Sequence, residues 1–314
     1  MKIFYSFFLF ISIATFGQTP FTDVSKEAGI DNIYDVYQGL FGGGVVAFDY
    51  NNDGYEDLYI TGGQSQDVLY KNNGNGTFTD VTKGSGLFKD RIIVTTGVSS
   101  ADVNKDGYID LLVTTIASQN IQTKKKKTLS PNLLYINNGD GTFTERSSKF
   151  GITKNNFSTS SSFGDINADG YPDLFVGNYF KNFYFEDSPF GTHNIALLNH
   201  YSINEEYETG DDELYINVDG KYFKEVSDLL IDAGKGYGFG GVFTDFDNDN
   251  DLDLFIINDF GETSESNRLM VNQYPELRFE NKSRELKINF GLKSMGVGVG
   301  DYNNDTFLDY HVTN

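Results

Sequence analysis

The stretch Asp49-Tyr50-Asn51-Asn52-Asp53-Gly54-Tyr55-Glu56-Asp57-Leu58-Tyr59-Ile60 is an acidic loop that runs straight into an apolar strand. Four more copies follow, beginning at Asp102, Asp165, Asp245 and Asp301. Oxygen-bearing groups at positions 1, 3, 5 and 9 around a tight turn are the donor set that a hard cation such as Ca²⁺ requires. Position 7 adds a backbone carbonyl and position 6 makes the turn. The expected ligands are Asp49, Asn51, Asp53, Tyr55 and Asp57 in loop 1, and Asp102, Asn104, Asp106, Tyr108 and Asp110 in loop 2. Loop 3 offers Asp165, Asn167, Asp169, Tyr171 and Asp173, and loop 4 Asp245, Asp247, Asp249, Asp251 and Asp253. Loop 5 offers Asp301, Asn303, Asp305, Phe307 and Asp309. The rival is an acidic turn surface without metal, but five copies in register point to up to five Ca²⁺ ions. No histidine or extra carboxylate recurs beside the loops, so the metal is expected to be structural.

An EF-hand would need a bidentate Glu at position 12, at the start of a helix. Here position 12 is Ile60, Val113, Val176, Ile256 or Val312. The runs after the loops, such as Leu111-Leu112-Val113-Thr114-Thr115-Ile116, are β-branched and apolar and read as buried strands. Each loop therefore joins two strands of a sheet.

A third apolar run with a shared ending follows each of the first four loops: Leu69-Tyr70-Lys71-Asn72, Leu134-Tyr135-Ile136-Asn137, Leu214-Tyr215-Ile216-Asn217 and Leu269-Met270-Val271-Asn272. Hairpin turns come next, Asn73-Gly74-Asn75-Gly76 and Asn138-Gly139-Asp140-Gly141, with Val218-Asp219-Gly220 as a shorter form. Gly and Asn supply the positive φ such turns need. A fourth strand is expected at Phe78–Thr82, Phe143–Ser147 and Phe223–Ser227. Four antiparallel strands per unit make a blade. The expected fold is an all-β propeller of four-stranded antiparallel blades, with the Ca²⁺ loop between the first and second strands.

Phe21-Thr22-Asp23-Val24-Ser25 leads to Gly29-Ile30 with the spacing from Phe78 to Gly86-Leu87. It reads as a fourth strand, within 18–39, that completes the last blade. Residues 40–314 then carry four complete blades and a partial fifth, and the chain reads as a fragment of a longer one. Residues 1–17 read as a signal peptide, with Lys2 before the apolar run Ile3–Phe16 and cleavage before Gln18. The alternative is a membrane anchor, for which the run is short. The product is expected to be secreted or at the cell surface, with no membrane insertion after cleavage, and monomeric.

The chain has no cysteine, hence no disulfide and no thiol nucleophile. Its 34 Gly, 20 Tyr and 28 Phe suit a turn-rich β protein. The net charge of −21 is mostly loop aspartate, which makes nucleic acid an unsuitable partner. The three histidines are His193, His200 and His311, and no nucleophile elbow or phosphate-binding glycine loop is present. Catalysis is not expected. The enzyme alternative is a Ca²⁺-dependent polysaccharide lyase or a phospholipase-like propeller, for which Arg91, Arg146, Arg268, Arg278 and Arg284 are too scattered.

Two insertions break the repeat. One spans Ala117–Pro131 and carries Lys124–Lys127; the other spans Tyr179–Asp212 with Tyr179, Phe180, Phe183, Tyr184, Phe185, Tyr201 and Tyr207. Both lie between second and third strands, opposite the metal loops, and are candidates for contact with a protein or carbohydrate ligand. The bland alternative is a local satellite core with a solvated lysine tip.

The loop preceded by Phe41-Gly42-Gly43-Gly44 or Phe239-Gly240-Gly241 resembles the FG-GAP/VCBS repeat of integrin α-chain propellers. The whole unit, with Met295-Gly296-Val297-Gly298-Val299-Gly300-Asp301, is more specifically similar to secreted ASPIC/UnbV proteins related to cartilage acidic protein. The resemblance covers roughly residues 19–314 and implies a propeller, commonly seven-bladed, with Ca²⁺ loops and an adhesion or binding role. Fewer units than seven are present, and the ASPIC module is missing. At position 6, Asn250 tolerates a left-handed backbone but the β-branched Thr306 does so poorly, so loop 5 is expected to be the weakest.

Overall fold

The computed structural model describes residues 21–36, 42–87, 92–119, 128–181 and 208–314. Strands β1 (Val45–Phe48), β2 (Asp57–Ile60), β3 (Val68–Asn72) and β4 (Phe78–Asp80) form an antiparallel meander. The second sheet is β5 (Ile92–Ala101), β6 (Asp110–Gln119), β7 (Leu133–Asn137) and β8 (Phe143–Glu145). The third is β9 (Phe157–Gly164), β10 (Asp173–Phe180), β11 (Glu213–Val218) and β12 (Tyr222–Glu225). The fourth adds a short parallel strand, β13 (Leu230–Ile231), outside β14 (Tyr237–Thr244), β15 (Asp253–Asp259), β16 (Arg268–Asn272) and β17 (Phe279–Asn281). A fifth sheet pairs β18 (Gly296–Gly300) with β19 (Asp309–Thr313). These sheets are the blades of a β-propeller.

Apolar cores lie between consecutive blades. Tyr59 and Leu69 of blade 1 pack with Leu111, Val113 and Phe143 of blade 2. Leu112 and Leu134 of blade 2 pack with Leu174, Val176 and Phe223 of blade 3. Phe175 and Leu214 of blade 3 meet Leu254, Ile256 and Met270 of blade 4, whose Phe255 and Ile257 face Val297, Tyr310 and Val312 of blade 5. Neighbouring residues of a second strand thus point into different cores, as the two-residue period of a strand dictates. Both faces are covered, which is why these strands read as unbroken apolar runs.

Gly42–Gly44, just before β1, and the inner strands β5, β9, β14 and β18 line a cavity of about 500 Å³. They approach so closely that a Cβ on Gly97 would lie 2.8 Å from the carbonyl oxygen of Thr159. Hydroxyls stitch the first four blades together here. Thr61 Oγ1 donates to Thr96 O at 2.8 Å, Thr96 Oγ1 to Ser158 O at 2.8 Å, and Thr159 Oγ1 to Gly238 O at 2.7 Å.

The structure differs from the sequence expectations at two places. Phe21–Val24 forms no strand; Phe21 and Val24 are exposed and Ser25–Ala28 is a single helical turn, α1. A strand exists only with a ladder partner, and none of the described strands lies beside this segment. It nevertheless docks as its counterparts do. Gly29, Gly86 and Gly151 all have positive φ, and a Cβ on each would crowd the carbonyl of Phe78, Phe143 or Phe223, respectively.

The other difference corrects the extent of the insertions. Strand β6 continues to Gln119 and β10 to Phe180. Tyr179 and Phe180 are buried in a cluster with Val94, Ile116, Phe157 and Tyr237, so they are core and not ligand-loop aromatics. Tyr179 also donates its hydroxyl to Asp259 Oδ2 at 2.6 Å. The segment 1–17, Phe41, Arg91, Lys124–Lys127, Phe183, Tyr184, Phe185, His193, His200, Tyr201 and Tyr207 lie outside the described residues. No helix among the described residues is long and apolar enough to cross a membrane.

Candidate metal centre

Each acidic loop leaves the end of a first strand and is wound by its own side chains. The position-1 carboxylate accepts the N–H groups of positions 5 and 6, as in Asp49 with Asp53 at 3.0 Å and Gly54 at 2.7 Å. Asp102, Asp165, Asp245 and Asp301 make the same pair of bonds. The position-3 oxygen of Asn51, Asn104, Asn167 and Asn303 also accepts the position-5 N–H. The position-5 carboxylate accepts the position-7 N–H in all five loops.

Position 6 is left-handed throughout: Gly54 at φ 86°, Gly107 at 89°, Gly170 at 85°, Asn250 at 72° and Thr306 at 74°. Position 4 is left-handed too, in Asn52, Lys105, Ala168, Asn248 and Asn304, which the sequence does not announce at Lys105 or Ala168. The position-7 rings of Tyr55, Tyr108 and Tyr171 lie against the hairpin glycines Gly74, Gly139 and Gly220, leaving no room for a Cβ there. Phe307 is exposed.

Position 9 is the buried end of each site. Asp57, Asp110, Asp173 and Asp253 are completely buried, whereas Asp309 keeps partial exposure. One oxygen of each accepts the position-2 N–H, from Tyr50, Val103, Ile166, Phe246 and Tyr302 at 2.9 to 3.2 Å. In the first four blades the other oxygen accepts the backbone N–H of the third-strand asparagine, Asn72, Asn137, Asn217 or Asn272, at 2.7 to 2.9 Å. Burial pushes the carboxyls of Asp110, Asp173 and Asp253 up to about 7. The two N–H bonds oppose that rise and nearby loop carboxylates add to it. Asp251 is raised to about 6, by burial first and then by Asp249. Carboxylates crowded this far above their ordinary range are a donor set short of positive charge.

The donor set fits a hard divalent cation. It is all oxygen, with no sulfur or imidazole in any loop. In loop 4, carboxylate oxygens of Asp245, Asp247 and Asp253 all lie within 4.8 Å of one another. Loop 1 differs in one respect. Lys71, where blades 2, 3 and 4 carry Ile136, Ile216 and Val271, places its ammonium against Asp53. That bond holds the Asp53 carboxyl below its ordinary value.

The third-strand asparagines escaped the sequence reading as part of the site. Asn137 Nδ2 donates to Ile109 O of its own loop and, at 2.8 Å, to Tyr50 O of the preceding loop. Asn217 does so with Pro172 O and Val103 O, and Asn272 with Leu252 O and Ile166 O. The shared Leu-x-x-Asn ending was the available signal. Of the histidines only His311 is described; it is exposed on β19.

A family model for the FG-GAP-like repeat matches residues 49–113, 125–176 and 245–312, more than half of the chain. No curated protein matches it. Among solved structures, the chain is similar to an Agrocybe aegerita lectin described as specifically recognising non-reducing terminal N-acetylglucosamine. The TM-score is 0.47 and the identity 15%, over 85% of this chain and 59% of that one. The chain thus spans less than two thirds of that structure's length. Its repeated loop, its four-stranded blades and the family match agree: this chain belongs to the FG-GAP-like repeat family.

Proposed function

We propose that this chain is a secreted, calcium-stabilised propeller module that binds a protein or carbohydrate ligand and has no catalytic role of its own. The observation that carries the calcium half is the repetition itself. Five loops share oxygen-bearing side chains at positions 1, 3, 5 and 9, one left-handed pair of positions, and the hydrogen bonds from positions 5 and 6 to the position-1 carboxylate. Calcium would be held by the side chains at positions 1, 3, 5 and 9 and the carbonyl at position 7. Bound there, it supplies positive charge that relieves carboxylate repulsion and ties the turn to the strands on either side. The protein supplies the rest: position 1 winds the loop, and the buried position-9 carboxylate anchors it to the third strand.

The ligand half is supported by the long segments after β6 and β10. Second strands begin at a metal loop, so their far ends at Gln119 and Phe180 lead away from it. Long insertions between the strands of a rigid scaffold are where propellers can host recognition. Two measurements test the proposal. Calorimetry of the metal-free protein against CaCl₂ should show saturable uptake, and retention on glycan and extracellular-protein arrays should fall in chelator. Absence of uptake removes the calcium half. Retention of no ligand on either array removes the binding half.

A further inference from the structure

The buried ends of the metal loops are joined into a row. Starting at blade 1, Asp57 Oδ2 accepts the N–H of Tyr50, and the carbonyl of Tyr50 accepts Asn137 Nδ2. The backbone N–H of Asn137 donates to Asp110 Oδ1, while Asp110 Oδ2 accepts the N–H of Val103. The carbonyl of Val103 accepts Asn217 Nδ2, and the same pattern continues through Asp173 and Ile166 to Asn272 and Asp253. Every bridging bond from one blade to the next is 2.8 or 2.9 Å long. Asn137, Asn217 and Asn272 are 1, 0 and 2% exposed, so water does not compete for these bonds.

We propose that Asn137, Asn217 and Asn272 are positioning residues that couple each cation loop to the loop before it, so that loops 1 to 4 take up calcium as a linked row. The proposal rests on the calcium reading above. Residues that orient a metal-binding carboxylate through a hydrogen bond set its affinity as well as its geometry. Here the backbone N–H of one asparagine orients the position-9 carboxylate of its own loop, while its side-chain Nδ2 ties the position-8 carbonyl of that loop to the position-2 carbonyl of the neighbour. Position 2 of the neighbour is itself clamped by the neighbour's position-9 carboxylate. Ordering one loop therefore fixes part of the next, and a ligand that meets a pre-ordered site binds with less cost. Asn72 is the internal control. It makes the bonds to Asp57 and Glu56 within blade 1 but bridges to no preceding loop among the described residues.

Calcium titration of the metal-free chain by calorimetry should give a Hill coefficient above one. Asn217→Ala cuts the row between loops 2 and 3 and should lower it, whereas Asn72→Ala should weaken loop 1 and leave the cooperativity unchanged. As a variant that leaves every asparagine in place, Asp165→Asn with Asp169→Asn should disable loop 3 and also weaken the remaining sites, by about 5-fold or more at loop 2. A Hill coefficient of one in the unmodified chain, or unchanged loop 2 affinity in the loop 3 variant, overturns the coupling while leaving calcium binding in place. Absence of calcium uptake in the unmodified chain overturns the calcium reading itself, and the coupling with it.

Discussion

The ammonium of Lys71 lies 2.6 Å from Oδ2 of Asp53, so one acidic loop of this propeller already carries a cation of its own. A divalent ion entering loop 1 must displace that ammonium or share Asp53 with it. Lys71→Ile, the residue found in blades 2 and 3, should tighten calcium at loop 1 by roughly 2- to 5-fold, a modest gain because the competing ion pair is exposed to solvent. The gain should shrink in high salt, which screens the competing charge. Site-resolved calcium titration of the two proteins at low and high ionic strength checks it, and equal affinities refute it.

Thr306 carries a φ of 74°, a backbone that costs a β-branched residue about 1–2 kcal/mol. Thr306→Gly should therefore tighten loop 5 by roughly tenfold, and Gly107→Thr should weaken loop 2 by a similar factor. Calorimetry on both variants decides the matter. Unchanged affinities would show that position 6 does not limit either loop.

Removing calcium should lower the melting temperature. A ligand that binds only the folded form at about 100 times its Kd stabilises it by roughly 2.7 kcal/mol per site. Thermal scans with excess CaCl₂ and with chelator should separate clearly, and superimposed scans would count against the whole account of the loops.

Asp212 offers a pH test outside the acidic loops. Its carboxylate accepts the N–H of Asn178 at 2.9 Å, the bond that Asn132 makes to Thr115 and Asn267 to Asn258. Burial, with some help from Glu213 and Asp211, pushes this carboxyl up to about 7. The folded chain then holds a proton that the unfolded chain releases above its ordinary value near 4. The stability contributed by this group is therefore full below about pH 4 and is lost as pH rises through about 7. Asp212→Asn keeps the acceptor and removes the charge. It should raise stability above pH 7 by on the order of 1–3 kcal/mol and leave it nearly unchanged near pH 4. Urea melts of both proteins in matched metal-free buffers across that range would show it, and parallel pH profiles would contradict it.

The loops and second strands were legible because their chemistry is local. Ligand spacing, a turn residue and an apolar run all fall within a dozen residues, and the fold follows from repeating them. What escaped depends on distant partners. Nothing beside Lys105 or Ala168 marks a left-handed residue, because the winding bonds come from Asp102 and Asp165. Asn137 and Asn217 look like mere ends of a third strand until the preceding blade is set against them. Tyr179 and Phe180 open what reads as an aromatic loop, yet Phe157, Tyr237 and Asp259 from other strands make them core. Phe21–Val24 shows the converse: its sequence matches a fourth strand, but no described strand pairs with it, so no ladder forms here.

The alternation of the second strands between two cores has a genetic corollary. Leu112 and Val113 are adjacent in sequence, yet one belongs to the seam between blades 2 and 3 and the other to the seam between blades 1 and 2. Truncating either should loosen its own seam and spare the other, so effects of neighbouring substitutions should add while those of residues facing across a seam should not. Natural drift in such a chain is then constrained seam by seam. A residue can change freely only in step with its counterpart in the adjoining blade, some sixty positions away in the case of Leu112 and Leu174.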